Sequence, residues 1–290
     1  MDNICYFLLS SRKNILHICL ANLIKNLNKE KYPIYVYYFD NIYDEKYIEK
    51  IKSYLKFDNI FFKQLEYNIP EFINEKDLYF NRKYLPYVRN YFPRSRVGYL
   101  HMENFVSNFY NLEDLKKYEY LIRIDDDSYF KSDLNNTSFF IESLKEKKCQ
   151  FGSAHFWNHI GENTLQTREN LFSFTKEFIK KNNLKVKNSL LSNAIRENNE
   201  NNFHKLKWSA GNFNIYKSEI FKEKMWLEWI KEINYNGFIY KHRWGDQEII
   251  GLYYYMTREN NPVDFKLKEK GLYGDKIPGC GEAPSTKKLF

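Results

Sequence analysis

Cysteine is scarce in this chain: Cys5, Cys19, Cys149 and Cys280 are spread over 290 positions. No two stand at metal-ligand spacing, and four are too few for a disulfide scaffold, so zinc modules and small stapled folds are excluded. Cys5 and Cys19 fall in apolar segments and read as small buried hydrophobes. Glycine and proline are thin too, at 11 and 7, which leaves no flexible linker and no low-complexity tract. No internal repeat stands out, so one integrated unit over 1–290 is expected. Long apolar runs are also missing. The first, Ile4 to Leu9, is too short for a signal peptide or a membrane span, and no basic residue precedes it. It reads as a first core strand of a soluble chain that carries no address.

What is present is ordinary in bulk, with 43% apolar and 28% charged residues, enough to fold a real core at this length. Aromatics are high at 19%; a few rings suit stacking on sugar faces. The net charge of +8 invites an anionic partner. The lysines are scattered, however, and neither zinc-finger spacing nor an aromatic RNA-binding motif occurs, so nucleic acid is not expected. A positive field suits a nucleotide diphosphate equally well.

Periodicity orders the chain. Ile4 to Leu9, Tyr32 to Phe39 and Asn59 to Leu65 read as strands, with helical spacing over Asn14 to Leu27 and Tyr43 to Leu55. Strand–helix alternation over the first seventy residues predicts parallel strands and a doubly wound, Rossmann-like N-terminal half; the whole chain is expected to be an α/β fold with a mixed, mostly parallel central sheet flanked by helices. Ligands in such sheets sit beyond the carboxyl ends of strands, which singles out Ser10, Arg12 and Asp40. Further on, helices are predicted from Tyr99, Phe139, Asn170, Ser218 (as N-cap) and Gln247, and a strand broken at Gly211 over Lys207 to Tyr216.

One motif carries chemistry. Tyr120-Leu-Ile-Arg-Ile runs straight into Asp125, Asp126 and Asp127. Three adjacent acids repel and call for positive charge; hard cations such as Mn²⁺ or Mg²⁺ take one or two protein carboxylates and leave the rest to water and phosphate. With strand alternation, Asp125 and Asp127 share a face as an Asp-x-Asp metal pair and Asp126 points away. A solvated acidic turn is the plain alternative.

Several segments, in order, resemble the fungal α-1,2-mannosyltransferase family. Arg243-Trp-Gly-Asp246 looks like its Glu-Arg-Trp-Gly-Asp motif, Arg123-Ile-Asp-Asp-Asp127 like its metal motif, Thr175-Lys-Glu-Phe-Ile179 like one of its helices, Tyr99-Leu-His-Met102 like its Tyr-Arg-His-Met, and Leu8-Leu-Ser-Ser-Arg12 like its first turn. The resemblance implies a GT-A-like Golgi enzyme that uses GDP-mannose and Mn²⁺ and transfers mannose with retention to a glycan or glycoprotein. It also implies a division into a nucleotide-sugar- and metal-binding half, 1–134, and an acceptor-binding half, 135–290. Two features depart from the family. Its Trp-Ser-Asn-Phe-Glu segment, which carries a Glu nucleophile, is matched only by Trp208-Ser-Ala-Gly-Asn212. Its C-terminal metal-binding His has no counterpart after His242. Because the chain lacks an address, a cytoplasmic location is expected in preference to the Golgi lumen.

The candidate roles follow. Asp125 and Asp127 hold the metal. Ser10, Arg12, Asp40, Arg123, Asp126 and Arg243 meet the nucleotide sugar, although Arg123 equally suits a salt bridge within the sheet layer. Asp246 and Glu248 are the catalytic candidates; Asp246 equally suits a helix N-cap. Trp208, Asn212 and Trp244 are candidates for holding the acceptor, although each tryptophan suits the core at least as well, and His155, His159 and His242 are candidates for extra metal or phosphate contacts. An inverting UDP-sugar transferase would use Asp246 or Glu248 as base. With the family Glu absent, front-face attack with Asp246 orienting the acceptor is favoured. A two-metal phosphohydrolase lacks its further acidic clusters, and a noncatalytic carbohydrate- or nucleic-acid-binding module would not need the aspartates.

Overall fold

The computed structural model describes residues 3–39, 42–66, 68–79, 96–131, 134, 136–157, 167–274 and 277. Its frame is a seven-stranded sheet in the order β10-β6-β9-β4-β1-β2-β3. In chain order the strands are β1 (Ile4–Leu9), β2 (Ile34–Phe39), β3 (Ile60–Leu65), β4 (Tyr120–Ile124), β5 (Tyr129–Phe130), β6 (Phe151–Ser153), β7 (Phe156–Trp157), β8 (Trp208–Ser209), β9 (Phe213–Lys217), β10 (Val263–Asp264) and β11 (Tyr273–Gly274). β1 pairs in parallel with β2 and β4, β2 with β3, and β6 with β10. Among the described strands of this sheet only β9 runs antiparallel, between β4 and β6; β5 with β11 and β7 with β8 form separate antiparallel pairs. The sheet is therefore mixed and mostly parallel, as expected; the alternation implied its parallel strands but not the antiparallel β9.

β1 and β2 are apolar at every position, and β4 at every position but Arg123, because both faces of the sheet are covered. Along β1, Cys5 and Phe7 enter one core with Phe105, Phe109 and Trp226, while Ile4, Tyr6 and Leu8 enter the other with Leu16, Leu20 and Ile122. Each buried ring or branched side chain contributes about 1.5–3 kcal/mol by leaving water. The Lys13–Asn26 helix is tied to β5 through Asn22 and Asn26, which both donate to the Phe130 carbonyl at 2.8 Å. Cys5, Cys19 and Cys149 are buried and free.

One boundary differs from the expectation. Ser218 does not cap a long helix: Ser218–Lys222 is a 3₁₀ turn, and the α-helix is Lys224–Asn236, ended by Gly237 at φ +68°. The polar stretch before His204 forms two short helices, Ser189–Arg196 and Glu200–His204, each entered through an Asn whose side chain accepts backbone N–H bonds.

Candidate active site

β1 and β4 are parallel neighbours, so their carboxyl ends open on the same edge of the sheet. Ser10 to Arg12 leave β1 there, and Asp125 to Asp127 leave β4. Because β9 is antiparallel, its entry loop, Gly211-Asn212, reaches that edge as well, and the Asn212 carbonyl accepts from the Asp125 N–H at 3.1 Å.

The aspartates do not continue the strand. β4 ends at Ile124, and the Ser128 N–H closes a turn on the Asp125 carbonyl at 3.1 Å. Strand alternation therefore does not set their directions; their partners do. Asp126 is buried and is held by the Ser10 hydroxyl at 2.8 Å and the Ser11 N–H at 3.3 Å, with Arg12 Nε at 3.5 Å. Ser10 also meets the Tyr43 hydroxyl at 2.6 Å. Asp127 pairs with the Arg12 guanidinium. Asp125 accepts from Arg123 Nη2 at 2.9 Å. Enclosure pushes the Asp125 carboxyl up to about 6; Arg123 pulls it back, and Asp127 and Asp126 add to the rise. Part of the Asp125 side chain, 39%, still reaches solvent, against 6% for Asp126. Asp126 thus pins the first turn, while Asp127, paired with Arg12, keeps 15% of its side chain in contact with solvent.

Arg123 lies beneath them, 5% exposed. Besides Asp125 it binds Asp246 Oδ2 through Nη1 at 2.9 Å, and it donates to the Gly211 carbonyl. The salt bridge within the sheet layer is the arrangement observed, and this guanidinium links the metal-motif turn to the Arg243–Asp246 segment. Asp246 is the first residue of the Asp246–Thr257 helix and not its cap; the cap is Gly245. Glu248, in the same first turn, is held by Arg168 through Nε and Nη2, both at 3.0 Å. Arg168 in turn lies over the Trp208 ring, 4.7 Å from its centroid.

Other expected residues fall elsewhere. Trp208 and Trp244 are completely buried, and Trp244 donates to the Glu169 carbonyl at 2.9 Å, so both rings pack in the core with no face open to a sugar. Arg243, left-handed at φ +59°, stacks on Tyr99 at 4.4 Å. His242 meets Glu169 at 3.2 Å, and His155 packs against Trp157. Asp40 and His159 lie outside the described residues.

Two participants escaped the sequence reading. Arg168 gave no signal. Glu103 stands directly after the Tyr99-Leu-His-Met102 segment, yet its role depends on residues far along the chain. Its Oε2 accepts from the Asp246 N–H at 3.1 Å, and it is 5% exposed. Burial pushes its carboxyl up to about 8; the charge of Asp246 adds to this, and Arg243 opposes it.

The donor set suits a hard divalent ion. Among the described residues no three His, Cys, Asp or Glu side chains converge as a closed metal cage. An open site with one or two carboxylates at a strand end is the arrangement such ions use beside a diphosphate.

Residues 2–288 match the family described as glycolipid 2-alpha-mannosyltransferase. The chain belongs to this family. It is a glycosyltransferase of the mannosyltransferase kind. No curated protein matches it in sequence. Among solved structures it is similar to the mannosyltransferase Ktr4p from S. cerevisiae in complex with GDP, with a TM-score of 0.72, 20% identity, and coverage of 89% of this chain and 67% of that one. It is also similar to core-mannan synthase A (CmsA/Ktr4) from Aspergillus fumigatus in a Mn/GDP form, at 0.70 and 17%, covering 88% and 70%. These likenesses establish the GT-A fold. Family membership also corrects the expected cytoplasmic location. That expectation rested on a missing address, whereas the family is one of Golgi enzymes. Among the described residues no helix is long and apolar enough to cross a membrane.

Proposed function

We propose that this chain transfers mannose from GDP-mannose to a sugar or glycoprotein hydroxyl with retention of configuration, using a divalent cation, Mn²⁺ or Mg²⁺. The observation that carries the reading is the meeting of Asp126 and Asp127 with Arg12, beside Asp125 on Arg123, at the carboxyl ends of β1 and β4, in a chain of mannosyltransferase family. Asp125 and Asp127 would hold the ion. When bound, it neutralises charge on the departing diphosphate.

The chain's own residues do the rest. Arg12 is half exposed and faces both Asp126 and Asp127; a cation held by Asp127 would leave its guanidinium free to meet the diphosphate. Ser10 and Asp126 fix the turn that carries it. Arg123 is fully engaged in the layer below and orients Asp125 and Asp246. Asp246 and Glu248 are each held by a buried guanidinium, which suits orienting an acceptor rather than taking its proton. Front-face attack, with the departing phosphate accepting the proton, is therefore the mechanism favoured over an inverting UDP-sugar reaction. The N-terminal half, 1–134, supplies the donor side, and Asp246 from the C-terminal half faces the acceptor.

The test is release of GDP from GDP-mannose by the purified chain with Mn²⁺. Slow release, lost in Asp127→Ala together with thermal stabilisation by GDP plus Mn²⁺, is expected. Release from UDP-sugars instead, or no nucleotide effect with any divalent ion, would overturn the reading.

A further inference from the structure

Glu103 lies on the Arg96–Asn108 helix, 143 residues from the helix end it touches. The Asp246–Thr257 helix begins at Gly245, which has no side chain to satisfy the free N–H groups of the first turn. The space a side chain would fill is taken: a Cβ on Gly245 would lie 2.8 Å from Glu248 Oε2 and 3.4 Å from Glu103 Oε2. The Asp246 N–H donates to Glu103 instead. We propose that Glu103 is a positioning residue, a cap supplied from another helix, which fixes the Gly245–Asp246 turn and so aims the Asp246 carboxylate at Arg123 and the acceptor side of the site.

The function of this cap rests on the role given to Asp246 above; the contact itself does not. Asp246 is a short side chain, so its direction follows its backbone. That backbone enters the helix from Arg243 in the left-handed region, a conformation that costs energy and persists only where neighbours hold it. Glu103 and Tyr99, both on the Arg96–Asn108 helix, supply that hold: Tyr99 lies under the Arg243 guanidinium and Glu103 takes the next free N–H. A shift of about 1 Å at such a position costs up to about a hundredfold in rate.

The charges facing Glu103 come from every element packed on it. Tyr99 is on its own helix, Arg243 and Asp246 are on the turn, and Arg123 on β4 feels its charge. Glu248 approaches the same Gly245, and Tyr79 acts on Arg243. A second negative charge beside Asp246 competes with it for Arg123 and Arg243, so ionisation of Glu103 perturbs the aim that its hydrogen bond sets.

The test compares Glu103→Ala with Glu103→Gln, which keeps an acceptor oxygen and removes the titration. Amide hydrogen exchange is read at Asp246 to Glu248, and kcat and KM for GDP release are read across pH 6 to 9. Expected in Glu103→Ala are faster exchange at those amides and a kcat lower by about ten- to a hundredfold, with the donor KM unmoved. Glu103→Gln restores kcat and loses an inflection near pH 8 that the unaltered chain shows. Unchanged exchange in Glu103→Ala, or an inflection near pH 8 that survives in Glu103→Gln, would overturn the proposal. If Glu103→Ala does not fold, the pH profile of Glu103→Gln decides. A chain that releases no GDP at all sinks the proposed function, while the exchange measurement still decides the cap.

Discussion

A single guanidinium does two tasks at once. Arg123 is buried, and both ends of its fork are occupied, by Asp125 and by Asp246. Removing it leaves a buried Asp246 and a crowded Asp125 without their cation, and breaking buried pairs from one side costs about 3–5 kcal/mol. Arg123→Met is expected to lower unfolding free energy by that order in urea titration. Arg123→Lys is expected to recover little, because one ammonium cannot span two carboxylates as a planar fork does. A lysine variant with unaltered stability would show that one of the two pairs carries no weight. Arg12 offers the contrast. It is 47% exposed, its pairing with Asp127 is screened by water, and Arg12→Ala is expected to leave stability within about 0.5 kcal/mol while GDP-dependent thermal stabilisation is lost.

At the scale of elements, the antiparallel β9 matters most to the site and was the least legible. Continuous apolar runs identify β1, β2 and β4 as buried strands, and the helices between the first three imply parallel pairing. Nothing in a five-residue run such as Phe213–Lys217 records its direction. Yet that direction carries Gly211-Asn212 to the aspartate turn. The Gly211 break was readable, and its cause is local: φ is +81°, and a Cβ would collide with the Gln247 side-chain amide, which donates to the Ala210 carbonyl at 3.3 Å. Gly211→Ala is therefore expected to cost about 1–3 kcal/mol, read as a fall of several degrees in Tm, and to disturb the carbonyl that Arg123 uses. An unchanged Tm would mean that the loop relaxes without strain. The aspartate triplet, Ser10, Arg12 and Asp246 could be found by eye because motif or strand-end position marks them. Glu103 and Arg168 could not, because their meaning lies in partners 143 and 80 residues away. The tryptophans misled for the opposite reason: a ring beside a motif looks the same in sequence whether its face is open or, as at Trp208 and Trp244, packed.

Across the whole molecule, buried charge should appear as a dependence of stability on pH. Glu103 has an ordinary carboxyl value of 4.5 when unfolded and about 8 in the fold, with burial as the main cause. The folded chain therefore keeps a proton that the unfolded chain has already released. The unfolded state binds fewer protons across this range, so unfolding free energy falls as pH rises, by about 1.4 kcal/mol per pH unit for one proton. This contribution is present in full below 4.5 and is lost as pH climbs through 8. Other shifted groups confuse the lower part of the range. Asp125 adds a fall up to about 6, whereas His17 and His204, held below their usual 6.5 chiefly by burial, add a rise as pH approaches that value. Between pH 6.5 and 8 the tail of these titrations and the first ionisation of the unfolded Cys5 and Cys19 thiols, whose unfolded value is 9.0, are the same with and without the Glu103 carboxyl, so the difference between the unaltered chain and Glu103→Gln isolates Glu103. In that window, with chelator present to keep the aspartates free of metal, chemical unfolding is expected to show a declining stability in the unaltered chain and a flatter line in Glu103→Gln. Parallel lines for the two proteins would mean that Glu103 is ionised in the fold at neutral pH, with Arg243 offsetting burial in full.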